Sequence, residues 1–175
     1  MTMTARSRFR LSSWRLLIGA LLLGALPVNL PSAEPTALKS GDRVVFLGDS
    51  ITQGGAGPTG YITLFKKALA KNHPNLEVEV IGAGISGNRV PNLEQRLERD
   101  VLAKKPTVVV IYIGINDVWH SINGRGTSKE DYEAGLKRII QKINDVGARV
   151  VLCTASVIGE KTDGSNSLDK MLDEY

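Results

Sequence analysis

Residues 43–53 read Arg-Val-Val-Phe-Leu-Gly-Asp-Ser-Ile-Thr-Gln, and this stretch decides the fold. Its apolar run, residues 44–47, predicts a short strand that is covered on both faces within a parallel sheet. Ser50 follows the carboxyl end of this strand, which is where open α/β sheets bind their ligands. Two interpretations of Ser50 stay open on this stretch alone: a nucleophile, or a serine that caps a turn or a helix.

The rest of the chain alternates apolar segments with amphipathic ones. Strands are predicted over residues 44–47, 76–80, 107–113 and 149–158, and a helical pattern follows each of them. In the second strand apolar and acidic residues alternate, which predicts a position at the edge of the sheet. The order predicts a doubly wound, mostly parallel α/β sheet. Such a sheet normally continues after its last helix, so the pattern predicts a domain that is incomplete at its C-terminus.

The N-terminal residues 1–33 have the features of a secretory signal peptide. Four arginines precede an apolar run over residues 16–26, and small residues follow it. Because the run is short for a membrane span, we expect a secreted or periplasmic protein without stable membrane association after cleavage. An uncleaved signal that anchors the protein to the membrane is the alternative. Residues 34–42 are predicted to be a linker, and residues 43–175 to form the domain.

The basic character of the chain belongs to this N-terminal segment. The formal net charge of +4 comes from 22 basic and 18 acidic residues, and the segment holds four arginines and no acid. The remainder is therefore balanced and lacks the electrostatic footprint of a nucleic-acid-binding protein. Cys153 is the only cysteine, which excludes an intrachain disulfide and suits a small buried apolar residue. No metal cluster is visible, no cofactor is predicted, and the oligomeric state stays open.

A glycine pattern over residues 82–87 raises the possibility of a dinucleotide site. It reads Gly-Ala-Gly-Ile-Ser-Gly and lies between a predicted strand and a predicted helix, as such a fingerprint should. However, it follows the second strand rather than the first, and the position about 20 residues later is Leu102 rather than an acidic residue. A cofactor-binding oxidoreductase is therefore a disfavoured alternative.

Three short blocks follow three successive predicted strands. They read Gly48-Asp49-Ser50-Ile51, Ile85-Ser86-Gly87-Asn88 and Gly114-Ile115-Asn116-Asp117. In this order the blocks resemble those of the SGNH hydrolases, also called GDSL esterases and lipases, and the resemblance covers roughly residues 43–158. It implies a flavodoxin-like, three-layer α/β/α sandwich.

The resemblance also implies roles for individual residues. Ser50 would be the nucleophile, and an oxyanion hole would be formed by the backbone N–H groups of Ser50 and Gly87 and the side-chain amide of Asn116. Acyl transfer places negative charge on an oxygen, and each fixed donor there stabilises it by about 3–4 kcal/mol. A glycine allows close approach of the backbone, and an asparagine amide is a neutral donor. Asp49 and Asp117 are interpreted as hydrogen-bond acceptors that hold the loops.

A serine nucleophile needs a base, and here the chain departs from the family pattern. The family carries a late Asp-x-x-His block, whereas the histidines of this chain are His73 and His120. The one literal match, residues 117–120, overlaps the third block. We therefore interpret His120 as lining the cleft, with Trp119 as an apolar wall. A role for His120 as general base is the alternative.

The resulting hypothesis is an exported serine esterase. It would hydrolyse carboxylic esters, such as acetylated saccharides, simple esters or lipids, through an acyl-serine intermediate. The expected partner is therefore a small-molecule or saccharide ester. The alternative is a catalytically deficient binding module of the same fold, or a fragment without the general base, for which ester hydrolysis would be near background.

Overall fold

The computed structural model describes residues 37–156, 161, 163 and 165–175. The signal peptide predicted for residues 1–33 lies outside the described residues, as do residues 34–36 of the predicted linker. The described residues form one compact unit.

Four parallel strands form the sheet of the described residues. They are β1 (Arg43–Gly48), β2 (Glu79–Gly84), β3 (Val108–Tyr112) and β4 (Arg149–Leu152), in the spatial order β2-β1-β3-β4. This order is that of a doubly wound sheet, as the sequence predicts. Strand β2 lies at an edge of the sheet, as predicted, and strand β1 lies inside it.

Six helices of the described residues accompany the strands. They are α1 (Ser50–Gly55), α2 (Tyr61–Asn72), α3 (Val90–Asp100), α4 (Ile115–Trp119), α5 (Lys129–Asp145) and α6 (Asp169–Leu172), with 3₁₀ turns at Leu102–Lys104 and His120–Asn123. Ser128 caps α5, because its hydroxyl accepts a hydrogen bond from the Asp131 N–H. In the described part of the chain, no helix combines the length and apolarity that crossing a membrane would need.

Strand β1 divides the core into two layers. Val45 and Leu47 face one layer together with the apolar stripes of α3 and α5, and both are fully buried. Val44 and Phe46 face the other layer, where Ile62 of α2 packs against them. Burying each of these side chains contributes roughly 1.5–3 kcal/mol. Helices therefore cover both faces of the sheet, which confirms the predicted α/β/α sandwich.

Two strands differ from the sequence pattern: β2 is shifted toward the C-terminus, and β4 is shorter. Strand β2 begins at Glu79 rather than at residue 76, since Glu79 pairs with Arg43 at the start of β1. Strand β4 ends at Leu152 rather than at residue 158. Cys153, one residue past this end, is half-buried rather than buried.

At the amino end of the sheet, side chains hydrogen-bond to one another. Asp42 accepts hydrogen bonds from the Thr107 hydroxyl at 2.7 Å and from Arg149 Nη2 at 2.9 Å. Burial raises the pKa of Asp42. The hydrogen bonds from Thr107 and Lys39 and the charge of Arg149 together outweigh burial, so the pKa of Asp42 is lowered. The last residue of the segment predicted as a linker is thus part of the packed fold.

Candidate active site

Ser50 is the first residue of α1, directly after β1, and its side chain is exposed. The cap of this helix is Asp49, whose Oδ1 accepts a hydrogen bond from the Ile51 N–H at 2.9 Å. Burial raises the pKa of Asp49, and the hydrogen bond from Ile51 opposes that shift. Because Asp49 serves as the cap, the capping interpretation of Ser50 is wrong, and its hydroxyl is free for other chemistry.

Glycines let α1 lie close to the ends of β1 and β2. A Cβ at Gly84 would collide with the backbone of Thr52 and Gln53, and a Cβ at Gly48 would collide with the Thr52 hydroxyl and the Tyr112 carbonyl. Larger residues at these two positions would therefore push Ser50 away from the neighbouring loops.

The second block, residues 85–88, is tied to the first by backbone hydrogen bonds. The Ile85 N–H donates to the Gly48 carbonyl at 3.1 Å, and the Ser86 N–H donates to Gln53 Oε1 at 2.7 Å. Gly87 has φ = +74°, a conformation that favours glycine, and nothing lies within 4 Å of the place where a Cβ would be. Its N–H has no hydrogen-bond partner among the described residues.

The third block contributes a buried amide. Asn116 lies in α4, just past β3, and only 4% of it is exposed. Its Nδ2 donates to the backbone carbonyl of Asn88 at 3.0 Å. A carboxamide NH₂ carries two donors, so this bond fixes the group and leaves its second N–H available.

Asp117 binds the backbone just after the second block. It is fully buried, and its Oδ1 accepts a hydrogen bond from the Val90 N–H at 3.0 Å. Burial raises the pKa of Asp117, and the hydrogen bond from the Val90 N–H opposes that shift. Asn116 and Asp117 therefore bind the backbone on both sides of Arg89, which joins the second and third blocks into one unit.

Trp119 and His120 lie next to this unit. Trp119 is 51% exposed, and the centroid of its ring lies 6.1 Å from that of His120. Burial lowers the pKa of His120, and the positive charges of Arg89 and Arg125 lower it further. Neither His120 nor His73, which follows the end of α2, has a hydrogen bond to Ser50 in the described structure. The structure thus joins the three blocks but does not join a histidine to the serine.

Sequence reasoning overlooks two residues that hold this site together. Gln53 is one, through its bond to the second block, and Arg96 is the other. Arg96 is buried in α3, and its guanidinium reaches Gly48 and Asn88. The available signal is its position three residues after Leu93, on the buried stripe of the helix, where a charged residue is unusual.

No group of three or more metal-ligating side chains occurs among the described residues. A cavity of about 610 Å³ lies beside β4 and is lined by Leu152, Cys153 and Tyr175 among others. None of the three residues expected to stabilise an oxyanion lines it.

The chain is similar to known proteins over most of its length. The model of the GDSL-like lipase/acylhydrolase family matches residues 46–175. The acetylxylan esterase of Geobacillus stearothermophilus is 34% identical over 153 residues, which cover 78% of this chain and 68% of that protein.

Solved structures extend the similarity to the fold. The crystal structure of the acetyl xylan esterase AlAXEase matches with a TM-score of 0.71 and 45% identity, over 75% of this chain and 67% of that one. The crystal structure of the Geobacillus stearothermophilus enzyme matches with a TM-score of 0.69 and 31% identity, over 78% and 69%. Two further structures of that enzyme are described as catalytic mutants, one with a serine and one with a histidine changed to alanine.

The family model and the two esterases agree with the three blocks and with the sheet order described above. They also remove the dinucleotide-binding alternative, since residues 82–87 lie inside the matched region. The chain therefore belongs to the GDSL-like lipase/acylhydrolase family, the SGNH hydrolases, which act on ester bonds.

Proposed function

We propose that the protein is an exported esterase that removes acetyl groups from a saccharide, with Ser50 as its nucleophile. The observation that carries the proposal is the arrangement of unused groups at one edge of the sheet. The Ser50 hydroxyl is exposed, the Gly87 N–H has no partner in the described structure, and Asn116 keeps one N–H free. The acetylxylan esterases among the similar proteins support an acetylated saccharide as substrate.

In the proposed reaction, Ser50 Oγ attacks the carbonyl carbon of the ester, and the carbonyl π electrons move onto oxygen. The backbone N–H groups of Ser50 and Gly87 and the free N–H of Asn116 bind this oxyanion. Collapse of the tetrahedral intermediate breaks the bond to the sugar oxygen, which leaves as an alcohol with a proton, and acetyl-Ser50 remains. Water then attacks the acetyl group, releasing acetate and restoring the serine.

A general base must accept the Ser50 proton and pass it to the leaving alcohol. In the described structure no side chain hydrogen-bonds to the Ser50 hydroxyl. Replacing His120 by Ala therefore tests the one histidine of the described residues that lies near the three blocks. A fall in kcat of less than about threefold would exclude it as the base, because general-base catalysis contributes at least about 100-fold.

The surroundings of the site support a saccharide rather than a lipid. Trp119 offers a flat, half-exposed ring next to the third block. The residues that follow it, 120–128, are largely polar and mostly exposed. A flat apolar ring beside polar groups matches a sugar, which has apolar faces and a polar rim.

The test compares acetate release from acetylated xylan and hydrolysis of 4-nitrophenyl acetate by the wild type and by Ser50→Ala. We expect Ser50→Ala to lose more than about 10³-fold in kcat, because the covalent step disappears. Ser40→Ala is the matched control, since Ser40 lies at the other end of the sheet and its hydroxyl contacts only the Glu77 backbone among the described residues.

Activity that survives in Ser50→Ala would contradict the assignment of the nucleophile. Absence of hydrolysis in the wild-type chain would contradict the proposed esterase activity and favour a catalytically deficient binding module. Labelling of Ser50 by a phosphonate, located by peptide mass spectrometry, would give independent support.

Export is proposed from the sequence of residues 1–33 alone. Expression with and without these residues tests it. We expect the full chain to accumulate outside the cytoplasm and the shortened chain to stay inside. Cytoplasmic accumulation of both would contradict export, and membrane fractionation of the full chain would identify an uncleaved anchor.

A further inference from the structure

Arg96 makes four hydrogen bonds although only 7% of it is exposed. Its Nη2 donates to the Gly48 carbonyl at 2.8 Å, and its Nε donates to Asn88 Oδ1 at 2.8 Å. Its Nη1 is shared between the Ala83 carbonyl at 2.9 Å and Asp100 Oδ2 at 3.0 Å. One guanidinium thus contacts the carboxyl ends of β1 and β2 and the loop between β2 and α3.

We propose that Arg96 is a positioning residue that sets the geometry of the oxyanion donors. The inference rests on the proposed function, because it assigns Arg96 to the same site. The Gly48 carbonyl lies two residues before Ser50 and also accepts the Ile85 N–H. Arg96 therefore binds the first block directly. The carbonyl oxygen that it binds also accepts a hydrogen bond from Ile85, the first residue of the second block.

The connection reaches the third block through Asn88. Arg96 holds the side chain of Asn88, and the backbone carbonyl of Asn88 accepts the hydrogen bond from Asn116 Nδ2. Arg96 and Asn116 thus fix the same residue from two sides. A displaced Asn88 would move the acceptor that orients the Asn116 amide, and with it the second, free N–H.

A purely structural ion pair would explain only part of this pattern. Asp100 accepts one of the four hydrogen bonds. The other three are accepted by the ends of β1 and β2 and by the side chain of Asn88. Asp100 also has a second partner, because Arg99 donates to it from the solvent side. The hydrogen bond from Arg99 is the largest cause that lowers the pKa of Asp100 to about 2; burial opposes it, and Arg96 adds to it.

The chemistry of arginine suits this task. Its planar guanidinium presents five donors in a fixed fork, and lysine presents three donors on a single flexible nitrogen. Lysine at position 96 would keep the charge beside Asp100 but could not hold Gly48, Ala83 and Asn88 at once. Arg96→Lys therefore separates charge from positioning.

Arg99→Lys is the matched control. Arg99 binds the same carboxylate as Arg96, but its side chain is 73% exposed and, in the described structure, makes no bond to the three blocks. The two substitutions are chemically identical and share one ion-pair partner. They differ in burial and in the contact with the site.

The first readout is the side-chain amide of Asn116 in ¹⁵N–¹H NMR spectra of the full chain, assigned by its loss in Asn116→Asp. We expect this signal to shift and its protons to exchange faster with water in Arg96→Lys, and to stay unchanged in Arg99→Lys. An unchanged Asn116 signal in a folded Arg96→Lys protein would overturn the proposal. If Arg96→Lys does not fold, Asn88→Ala decides, because it removes the acceptor of Arg96 Nε but keeps the carbonyl that Asn116 binds. A shift in Asn88→Ala supports the proposal, and its absence overturns it.

The second readout is the hydrolysis of 4-nitrophenyl acetate. We expect kcat to fall about 10- to 100-fold in Arg96→Lys with KM changed less than about twofold, since a misplaced donor affects the transition state more than binding. Arg99→Lys should keep both constants. An unchanged kcat in Arg96→Lys would overturn the proposal even if the NMR signal moves. If the wild-type chain shows no hydrolysis, the proposed function fails, and the Asn116 signal still tests Arg96 by itself.

Discussion

Each end of the sheet carries an arginine that hydrogen-bonds to several groups, but the two arginines hold different kinds of partner. At the amino end, Asp42, Thr107 and Arg149 bond to one another and close the fold. At the carboxyl end, Arg96 bonds mainly to backbone and to Asn88, and the groups it holds leave donors unused. Among the described residues, the two edges therefore differ in what remains unpaired after the fold is complete.

The carboxyl groups at the two ends also differ in the direction of their pKa shifts. At the amino end, hydrogen bonds and charge outweigh burial, and the pKa of Asp42 is lowered. At the carboxyl end, burial outweighs the hydrogen bonds, and the pKa values of Asp49 and Asp117 are raised. Ionised aspartate thus favours the folded state at one end and opposes it at the other.

The largest expected effect comes from removing a donor at the carboxyl end. Asn116→Ala should lower kcat about 10²- to 10³-fold, because one oxyanion donor is lost. Thr107→Val at the amino end should leave kcat within about twofold and lower the free energy of unfolding by about 1–3 kcal/mol, because it removes the hydroxyl that donates to Asp42. Kinetics with 4-nitrophenyl acetate and urea unfolding measure both. A similar loss of kcat in the two variants would show that the ends are not functionally distinct.

A smaller effect is expected from a matched pair of glycines. Gly41 at the amino end has φ = +85° and Gly87 at the carboxyl end has φ = +74°, and neither has an atom within 4 Å of a built Cβ. Alanine at either position should therefore cost a similar amount of stability, about 1–2 kcal/mol, from backbone strain alone.

Only Gly87→Ala should also reduce kcat, by about tenfold, because its N–H is a proposed oxyanion donor whose direction depends on this φ. Unfolding in urea and steady-state kinetics separate the two contributions. Equal kcat values for Gly41→Ala and Gly87→Ala would remove Gly87 from the oxyanion hole.

The smallest effect is a pair of opposite pH dependences. The folded-state pKa of Asp42 is lowered, so its stabilisation is present above the unfolded pKa of about 4 and is lost as pH falls through the folded value. The folded-state pKa of Asp117 is raised, so the folded state gains stability as pH falls through that raised value toward about 4. Urea unfolding of Asp42→Asn and Asp117→Asn across this range should therefore give differences from the wild type that change with pH in opposite directions. Differences that change with pH in the same direction would contradict the contrast between the ends.

The strands were predictable from the sequence because the pattern of apolar and polar residues indicates which strands are buried. The apolar run of residues 44–47 and the alternation over residues 76–80 indicated the interior and edge positions, although most of that alternation precedes β2. Strand lengths were not predictable, because Leu152 is the last residue of β4 only for lack of further pairing with β3. Helix α1 was missed because its glycines favour a loop, whereas in the fold Gly55 lies against the ring of Tyr61.

The site was predictable to the extent that it follows strand ends. Ser50, Gly87 and Asn116 stand after three neighbouring strands, and parallel strands bring such positions to one edge. Arg96 was not predictable as part of the site, because the carbonyls it binds come together only in the folded sheet. The sequence also left the base open, and the described residues place no histidine on Ser50.

The Gly48 carbonyl has a consequence for the motion of the site. It accepts both the Ile85 N–H and Arg96 Nη2, so both of its lone pairs are engaged. Local opening of the loop after β2 must break this junction together with the end of the sheet. In hydrogen exchange, the Ile85 amide should therefore persist with the strand amides, while the neighbouring Gly87 amide exchanges with water at once.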